Sequence, residues 1–464
     1  MLTPKPISKS KQRIIKFFLS SNPLEFFSRG FFYFLNFTVK YLLQNANTCS
    51  IIDTNTRSIE AKGRCPAMEN GILHVDMNNF YASVETLFAP QYANVPMAVA
   101  GDQESRHGII LAKNMLAKQM GVKTAEPIWQ AKRKCPDLQL VKPHRERYVH
   151  YSRLAKEIYS RFTDQVESFS LDECWLDVYG SERLFGDGEA IAHKIRCAVK
   201  EELGLTVSVG VSYNKVFAKL GSDYKKPDAV TVFGRAEMES VIWKLPAQAL
   251  LFVGPHTGKT LEKFGIHTIG DIARMELPAM RRMLGKTGEA LWTYANGLDD
   301  SPVGVMGTGE PPKTIGNSTT LPHDVTTEEE IRRTLLELAE SVASRLRNQG
   351  MKAGEVQITV KSGDFQEYQR QCRLEPPVCD ARSLYRAALE LYRRENRHWA
   401  VRLLGLRAGK LVDAAQVQIS FFDDADGLER EERLESAVDA LRERFGSRSV
   451  THGTTLENRG HSSR

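Results

Sequence analysis

A chain of 464 residues, 42% of them hydrophobic, is long enough for more than one domain and apolar enough to bury real cores, which excludes a disordered or fibrous protein. The formal charge of +6 arises in residues 1–67, which hold 10 Lys and Arg against 3 Asp and Glu; the remainder holds 53 against 54, so bulk charge carries no information about nucleic acid. Seven cysteines with no CxxC pair and no His at zinc-finger spacing exclude a disulfide frame or zinc site and read as reduced thiols of a cytoplasmic protein.

Residues 1–67 are rich in Phe, Lys and Arg and then turn polar. The apolar run 31–43 is interrupted by Asn36 and Lys40 and is too short for a comfortable bilayer span, and no small-residue cleavage site marks a signal peptide. Three readings stand: a membrane-surface helix, a disordered extension, or sequence upstream of a start at Met68. Residues 72–85, ILHVDMNNFYASVE, open with an apolar run that predicts a buried strand and deliver Asp76 to its end before the sequence takes up helical period. An acid at the mouth of a buried strand costs desolvation unless a cation or donors share its site, and a divalent metal is the commonest such partner for hard oxygen ligands. A capping Asp that opens a helix is the alternative.

Residues 88–143 read as a small insertion of short strands (96–100, 108–112) and helices, whose lysines fit an ordinary solvated surface. Helical periodicity over 145–161 leads to SFSLDECWLDV, 168–178, where Asp172 and Glu173 are adjacent. Adjacent strand residues face opposite ways, so if Asp172 joins Asp76, Glu173 sits to the side unless the strand turns there. Three carboxylates converging from two strands suit a two-metal phosphoryl-transfer site. A helix over 189–203 and a buried strand over 206–211 precede SYNKVFAKLGSDYKKPD, in which Lys215 and Lys219 stand four apart and predict a solvated lysine face. Residues 245–273 predict two short helices around GPHTG; Gly254 to Thr260 falls one residue short of a phosphate-cradling P-loop. SPVGVMGTGEPPK, 301–313, has the Gly/Pro content of a linker. Strands and helices then alternate, with helices over 327–349 and 381–395, and Lys361, Arg370 and Arg373 lie where one sheet face could track phosphates. Gln418, Ile419, Ser420, Phe421 and Phe422, which alone fit an edge strand, precede an acidic amphipathic helix over 428–445.

HVDMNNFYASVE, SFSLDECWLDV and VGVSYNKVFAKLGSDYKKPD together resemble, in order and spacing, the three catalytic-palm motifs of the Y-family DNA polymerases, closest to the DinB type, and the match runs from about Met68 to the C-terminal region. The resemblance implies a multidomain α+β fold: a ferredoxin-like palm (68–87 and 144–234), small fingers (88–143), a helix-hairpin-helix thumb (235–305), a linker (306–313), an α/β little finger (314–413) and a C-terminal segment (414–464). It favours a start at Met68, with 1–67 a start-site artefact or loose extension.

What the resemblance implies for function is a template-directed, error-prone translesion polymerase of low processivity, adding deoxynucleotides to a primer 3′ end with two Mg²⁺ ions. Asp76 and Asp172 would bridge the metals, Met77 would add a backbone carbonyl, and Glu173 would hold the primer-side ion or help activate the 3′ hydroxyl. Tyr81 would lie beneath the deoxyribose as a steric gate, and Phe80, Lys118 and Lys226 would flank the incoming nucleotide, the two lysines at its triphosphate. The family's finger motif N-Y-E-A-R is here Asn114-Met115-Leu116-Ala117-Lys118, which keeps a positive charge without the bidentate fork of arginine and loses a tyrosine donor. The hairpin's usual G-h-G is half present, as Gly254-Pro255-His256. Gln418 to Phe422 resemble the sliding-clamp-binding peptide of bacterial polymerases, with Gln as anchor and the aromatic pair filling a pocket. The expected partners are primer-template DNA, deoxynucleoside triphosphates and the sliding clamp, and the expected state is a cytoplasmic monomer without a membrane segment. Two rivals fit less well: a DNA-binding accessory protein with a degenerate polymerase fold would have lost the carboxylates, and a nucleotidyl cyclase sharing the palm has no use for thumb, little finger and clamp peptide.

Overall fold

The computed structural model describes residues 69–102, 108–309, 311–395, 397, 399–416, 425–446 and 449–450. The leader, 1–67, and the expected clamp peptide, 418–422, lie outside the described residues. Strand β1 (Ile72–Met77) runs into helix α1 (Phe80–Phe88) through Asn79, whose φ of 50° is a left-handed conformation that Asn tolerates. A three-stranded sheet follows, ordered β3-β2-β4, from β2 (Met97–Ala100), β3 (Ile110–Lys113) and β4 (Gln139–Val141). Helices α2 (Met115–Gln119) and α3 (Ile128–Lys134) pack on it around Ile110, Ala117, Ile128 and Leu138. The chain then returns through α4 (Arg145–Tyr159), β5 (Val166–Ser168), β6 (Glu173–Asp177), α5 (Gly188–Leu203), β7 (Val207–Ser212), α6 (Lys215–Tyr224) and β8 (Val230–Phe233). These strands and β1 form one sheet in the order β5-β6-β1-β7-β8.

Strand β1 alternates as an extended chain must. Leu73, Val75 and Met77 enter a core with Ile158, Ile191, Ile195 and Val209, beneath α4 and α5. Each such side chain, fully buried, contributes about 1.5–3 kcal/mol, and that apolar face holds the strand in place while its other face carries polar groups. Ile72, His74 and Asp76 point the opposite way, toward α6. Helix α6 starts cleanly, with the Asn214 side chain accepting from Phe217 N. It also lies close to the sheet, because Gly210 of β7 has no side chain: a Cβ there would fall 1.9 Å from the Ala218 carbonyl oxygen and 2.4 Å from the Ser222 nitrogen. Gly210 registers with His74, so the helix rests directly over the polar face of β1.

Residues 245–273 depart from the expected arrangement. GPHTG does not lie between two helices; Gly254 is the N-cap of α7 (Pro255–Lys263), where Pro at the first position needs no N–H partner, and only a short 3₁₀ turn, Ala247–Ala249, precedes it. Its companion α8 (Ile269–Arg274) opens on a Thr268/Asp271 capping box. With α9 (Leu277–Leu284) and α10 (Lys286–Ala295) they enclose a core that includes Leu261, Ile269, Met280 and Leu291.

The remaining sheet is built from β9 (Ile315–Val325), β10 (Met351–Ser362), β11 (Glu367–Val378) and β12 (Val401–Asp413), antiparallel in the order β11-β10-β12-β9. Helices α11 (Glu328–Asn348) and α12 (Ala381–Glu395) cover one face of it. The three prolines of this sheet, Pro322, Pro376 and Pro377, fall on its two edge strands, where no ladder hydrogen bond is lost. The register pairs Arg370 with the core residue Ile358, so Arg370 lies on the helix side and ion-pairs with Glu395. Only Lys361 and Arg373 of the three expected phosphate-tracking residues share the open face, and Lys361 is engaged by Glu367 at 2.9 Å. Helix α13 (Ala425–Phe445) is tied to α11 by Arg347–Asp439 at 2.6 Å and Arg442–Glu340 at 2.8 Å. The architecture is thus α+β and multidomain in kind, as expected, and among the described residues no helix is long and apolar enough to cross a membrane.

Candidate active site

Asp76 of β1 and Glu173 of β6 register directly opposite one another, so both side chains leave the sheet on the face covered by α6. The Lys219 ammonium of α6 lies 3.3 Å from Asp76 Oδ2, 3.2 Å from Glu173 Oε1 and 3.1 Å from Asp223 Oδ2. Lys226, just beyond α6, lies 2.7 Å from Asp76 Oδ2 and 2.8 Å from Asp223 Oδ1. Two ammonium groups therefore face three carboxylates. Burial raises the Asp76 carboxyl to about 6, against the pull of Lys226 and Lys219. Burial acts on Glu173 in the same sense, but the His74 ring and Lys219 outweigh it and hold that carboxyl down at about 2. Both lysines are raised: burial opposes their charge, and the surrounding carboxylates more than compensate.

His74 completes the cluster from below. It is fully buried, with Nδ1 2.8 Å from Ser222 Oγ and Nε2 3.4 Å from Glu173 Oε2. Neither His74 Nε2 nor Glu173 Oε2 has an aligned hydrogen bond. Burial lowers the pKa of the ring, which favours its neutral form.

Asp172 stands in the bend between β5 and β6. Its carbonyl oxygen accepts from Met77 N at 3.0 Å, and its Oδ1 accepts from Ser170 Oγ at 2.6 Å. The chain turns before β6 begins, so it is Glu173 that shares a face with Asp76, while Asp172 lies beside the Asp76–Met77 backbone and outside the lysine-bridged group. Among the described residues no three His, Cys, Asp or Glu side chains stand close enough to hold an ion by themselves.

Tyr81, in the first turn of α1, is half-buried, and its ring stacks on Tyr148 of α4 with centroids 4.1 Å apart and planes at 8°. Its phenol is raised by burial and further by the Asp172 charge. Phe80 turns into the core at 3% exposure and touches both tyrosines. Lys118 is exposed on α2, whose N-cap Asn114 also binds Val95 O and Met97 N.

The expected solvated face of α6 is not there. Lys219 is engaged as described, and Lys215 is only 12% exposed, paired with Glu167 at 2.7 Å and lying over the Trp175 ring at 4.7 Å. The polar face of α6 looks into the sheet because the Trp175 side of β6 and the acids of β1 and β6 are there to receive it. Lys219 was read as solvated, and Asp223, His74 and Ser222 went unread in the sequence; the usable signal was Gly210 inside a strand of alternating Val and Ser, which marks a close approach.

Residues 75–223, which carry Asp76, Asp172, Glu173, Lys219 and Asp223, match the impB/mucB/samB family, and residues 312–421 match that family's C-terminal domain. The chain is 48% identical over 396 residues to the DNA polymerase IV of Acetivibrio thermocellus, an alignment that covers 85% of this chain and 99% of that protein. The chain belongs to the Y-family of DNA polymerases, DinB type. It is also 34% identical over 404 residues to DNA polymerase IV 1 of Bacillus subtilis, covering 84% of this chain and 94% of that one. Its fold is similar, with a TM-score of 0.65 and 24% identity, to the solved Y-family DNA polymerase chimera Dbh-Dpo4(243-245)-Dbh, over 74% of this chain and 99% of that one. As a member of this Y-family group the protein is a DNA-directed DNA polymerase, whose substrates are primer-template DNA and deoxynucleoside triphosphates.

Proposed function

We propose that this polymerase carries out error-prone translesion synthesis by two-metal phosphoryl transfer, with the carboxylate cluster beneath α6 as its reacting centre. The observation that carries the reading is the opposition of Asp76 and Glu173 on neighbouring strands under two cationic side chains. The donor set suits a pair of Mg²⁺ ions: hard carboxylate oxygens, one of which, Glu173 Oε2, lacks a hydrogen-bond partner, gathered where positive charge is already favoured. Asp76 and Asp172 would bridge the ions, the Met77 carbonyl would complete one shell, and Glu173 would serve the primer side. Bound there, the ions supply Lewis acids for the primer 3′ hydroxyl and for the departing pyrophosphate.

The chain's own residues do the rest. Lys226 neutralises Asp76 before substrate arrives and turns to the triphosphate when it is bound, with Lys118 supplying a second charge from α2. Tyr81 closes the space at the sugar's C2′. The sheet carrying Asp76 acts as palm, the β3-β2-β4 sheet as fingers, α7 to α10 as thumb and the β9–β12 sheet as little finger. Residues 418–422 recruit the sliding clamp, which supplies the processivity that a monomer with so small a finger sheet lacks.

Single-nucleotide primer extension on undamaged and abasic templates tests this. Asp76→Ala and Asp172→Ala should each abolish extension while primer-template affinity stays nearly unchanged, because metal ligation serves chemistry and phosphate contacts lie elsewhere. Substantial extension by either variant would remove these residues from the reacting centre.

A further inference from the structure

The Tyr81 ring is not held by its own helix alone. One turn along α1 stands Glu85, an acid only 1% exposed. Its Oε1 accepts from the Tyr148 hydroxyl at 2.6 Å, its Oε2 accepts from Arg147 at 2.8 Å, and His144 Nδ1 lies 3.0 Å and 3.1 Å from the two oxygens. Arg147 is held in turn, its guanidinium stacked 4.2 Å over the Phe88 ring. We propose that Glu85 is a positioning residue for sugar selection: it locks Tyr148, and Tyr148 locks Tyr81. The inference rests on the reading of Tyr81 as the steric gate.

The physical case begins with what a steric gate requires. A wall excludes one extra hydroxyl only if it cannot tilt away, since a core that relaxes absorbs an added atom cheaply. Tyr81 is half-buried and has Tyr148 parallel to one of its faces at 4.1 Å. The gate is therefore as stiff as the Tyr148 ring behind it. That ring is pinned at its far end by a charge-assisted hydrogen bond in a buried setting, where such bonds are short and directional. A carboxylate receiving donors on both oxygens has its plane fixed, and so fixes the hydroxyl that points at it. Stability alone does not call for this arrangement, because a buried acid with cationic partners rarely outperforms an apolar residue of the same volume. Rigid orientation does call for it.

The test compares kcat/KM for a deoxynucleotide and its matching ribonucleotide in the full chain and in four variants. Tyr148→Phe keeps the stacked ring and removes the tethering hydroxyl, which donates to Glu85 and accepts from His144 N at 3.1 Å; Glu85→Ala removes the lock, Glu85→Gln restores a neutral acceptor, and Tyr81→Ala opens the gate itself. Tyr148→Phe and Glu85→Ala should each reduce discrimination against the ribonucleotide by about threefold to tenfold, less than Tyr81→Ala, and Glu85→Gln should recover part of the loss. Equal loss of both substrates' rates, with discrimination unchanged, would make Glu85 structural and overturn the proposal. If Glu85→Ala does not fold, Tyr148→Phe decides the matter alone. If Tyr81→Ala leaves discrimination intact, the gate and its lock fall together; if it relaxes discrimination while Tyr148→Phe does not, only the lock falls.

Discussion

Replacing Asp76 with Asn removes a group whose charge the fold opposes, and the cost can be worked from the site. Burial lifts this carboxyl from 3.8 to about 6 despite its two lysines. The folded protein then binds the proton more tightly than the unfolded chain does between those values. A raised folded pKa gives stability that is complete below the unfolded value and lost as pH rises through the folded one. The shift corresponds to about 3 kcal/mol, at about 1.36 kcal/mol per pH unit. Asp76 is 5% exposed, so solvent screens little of this. Asn carries no such proton, so Asp76→Asn should gain about 3 kcal/mol on the parent between about pH 4 and about pH 7. Glu173 touches only the acid edge of this window: its lowered pKa gives stability lost as pH falls from 4.5 toward about 2. Hydrogen exchange of peptides covering β1 and β7, in chelator and with both proteins compared at each pH, reads the difference directly. Saturating Mg²⁺ should shrink it, because the ion stabilises the parent's folded state. A difference that is flat across this range, or that falls with rising pH, would refute the assignment of a desolvated Asp76.

Three further outcomes are expected. Tyr81→Ala should raise ribonucleotide incorporation relative to deoxynucleotide by about one to two decades, since overpacking a rigid site costs roughly 1–3 kcal/mol; an unchanged kcat/KM ratio would leave the ring a core residue. Replacing Phe421 and Phe422 together with Ala should remove clamp-stimulated synthesis and preserve distributive extension, because a remote docked peptide tethers without catalysing. Equal loss of both activities would place the peptide in the folded core. Deleting residues 1–67 should leave extension rate and solubility unchanged, and aggregation of the shortened protein would show that the leader packs on the rest.

Much of the scaffold was legible because it follows from period. The apolar run ending at Asp76 predicted β1, and the helix over 381–395 was read to the residue. What period cannot supply is direction relative to a partner. Lys219 was correctly placed on the polar side of a helix, but period does not say whether that side meets water or buried acids. Arg370 was correctly placed on a strand, but its face depends on a register that no single strand contains. For Asp172 and Glu173 the sequence left open whether the strand runs straight or turns; the chain bends at Asp172, helped by Ser170, whose Oγ lies 3.3 Å from Asp172 N and 3.1 Å from Glu173 N. The Glu85 network was missed for a related reason: its members lie some sixty positions apart and meet only when α1 and α4 pack.

The closeness of α6 to the sheet makes geometry and charge inseparable at this centre. A methyl group at Gly210 would carry no charge, and the atoms nearest to it would all be backbone of α6. It would nevertheless push the helix outward, and Lys219 with it, removing the one ammonium that bridges Asp76 and Glu173 and leaving the two acids to face each other across neighbouring strands with no cation between them. By size Gly210→Ala is among the mildest exchanges in the protein; by effect it would act as a deleted cation, felt as mutual repulsion in a place that no charged residue had left.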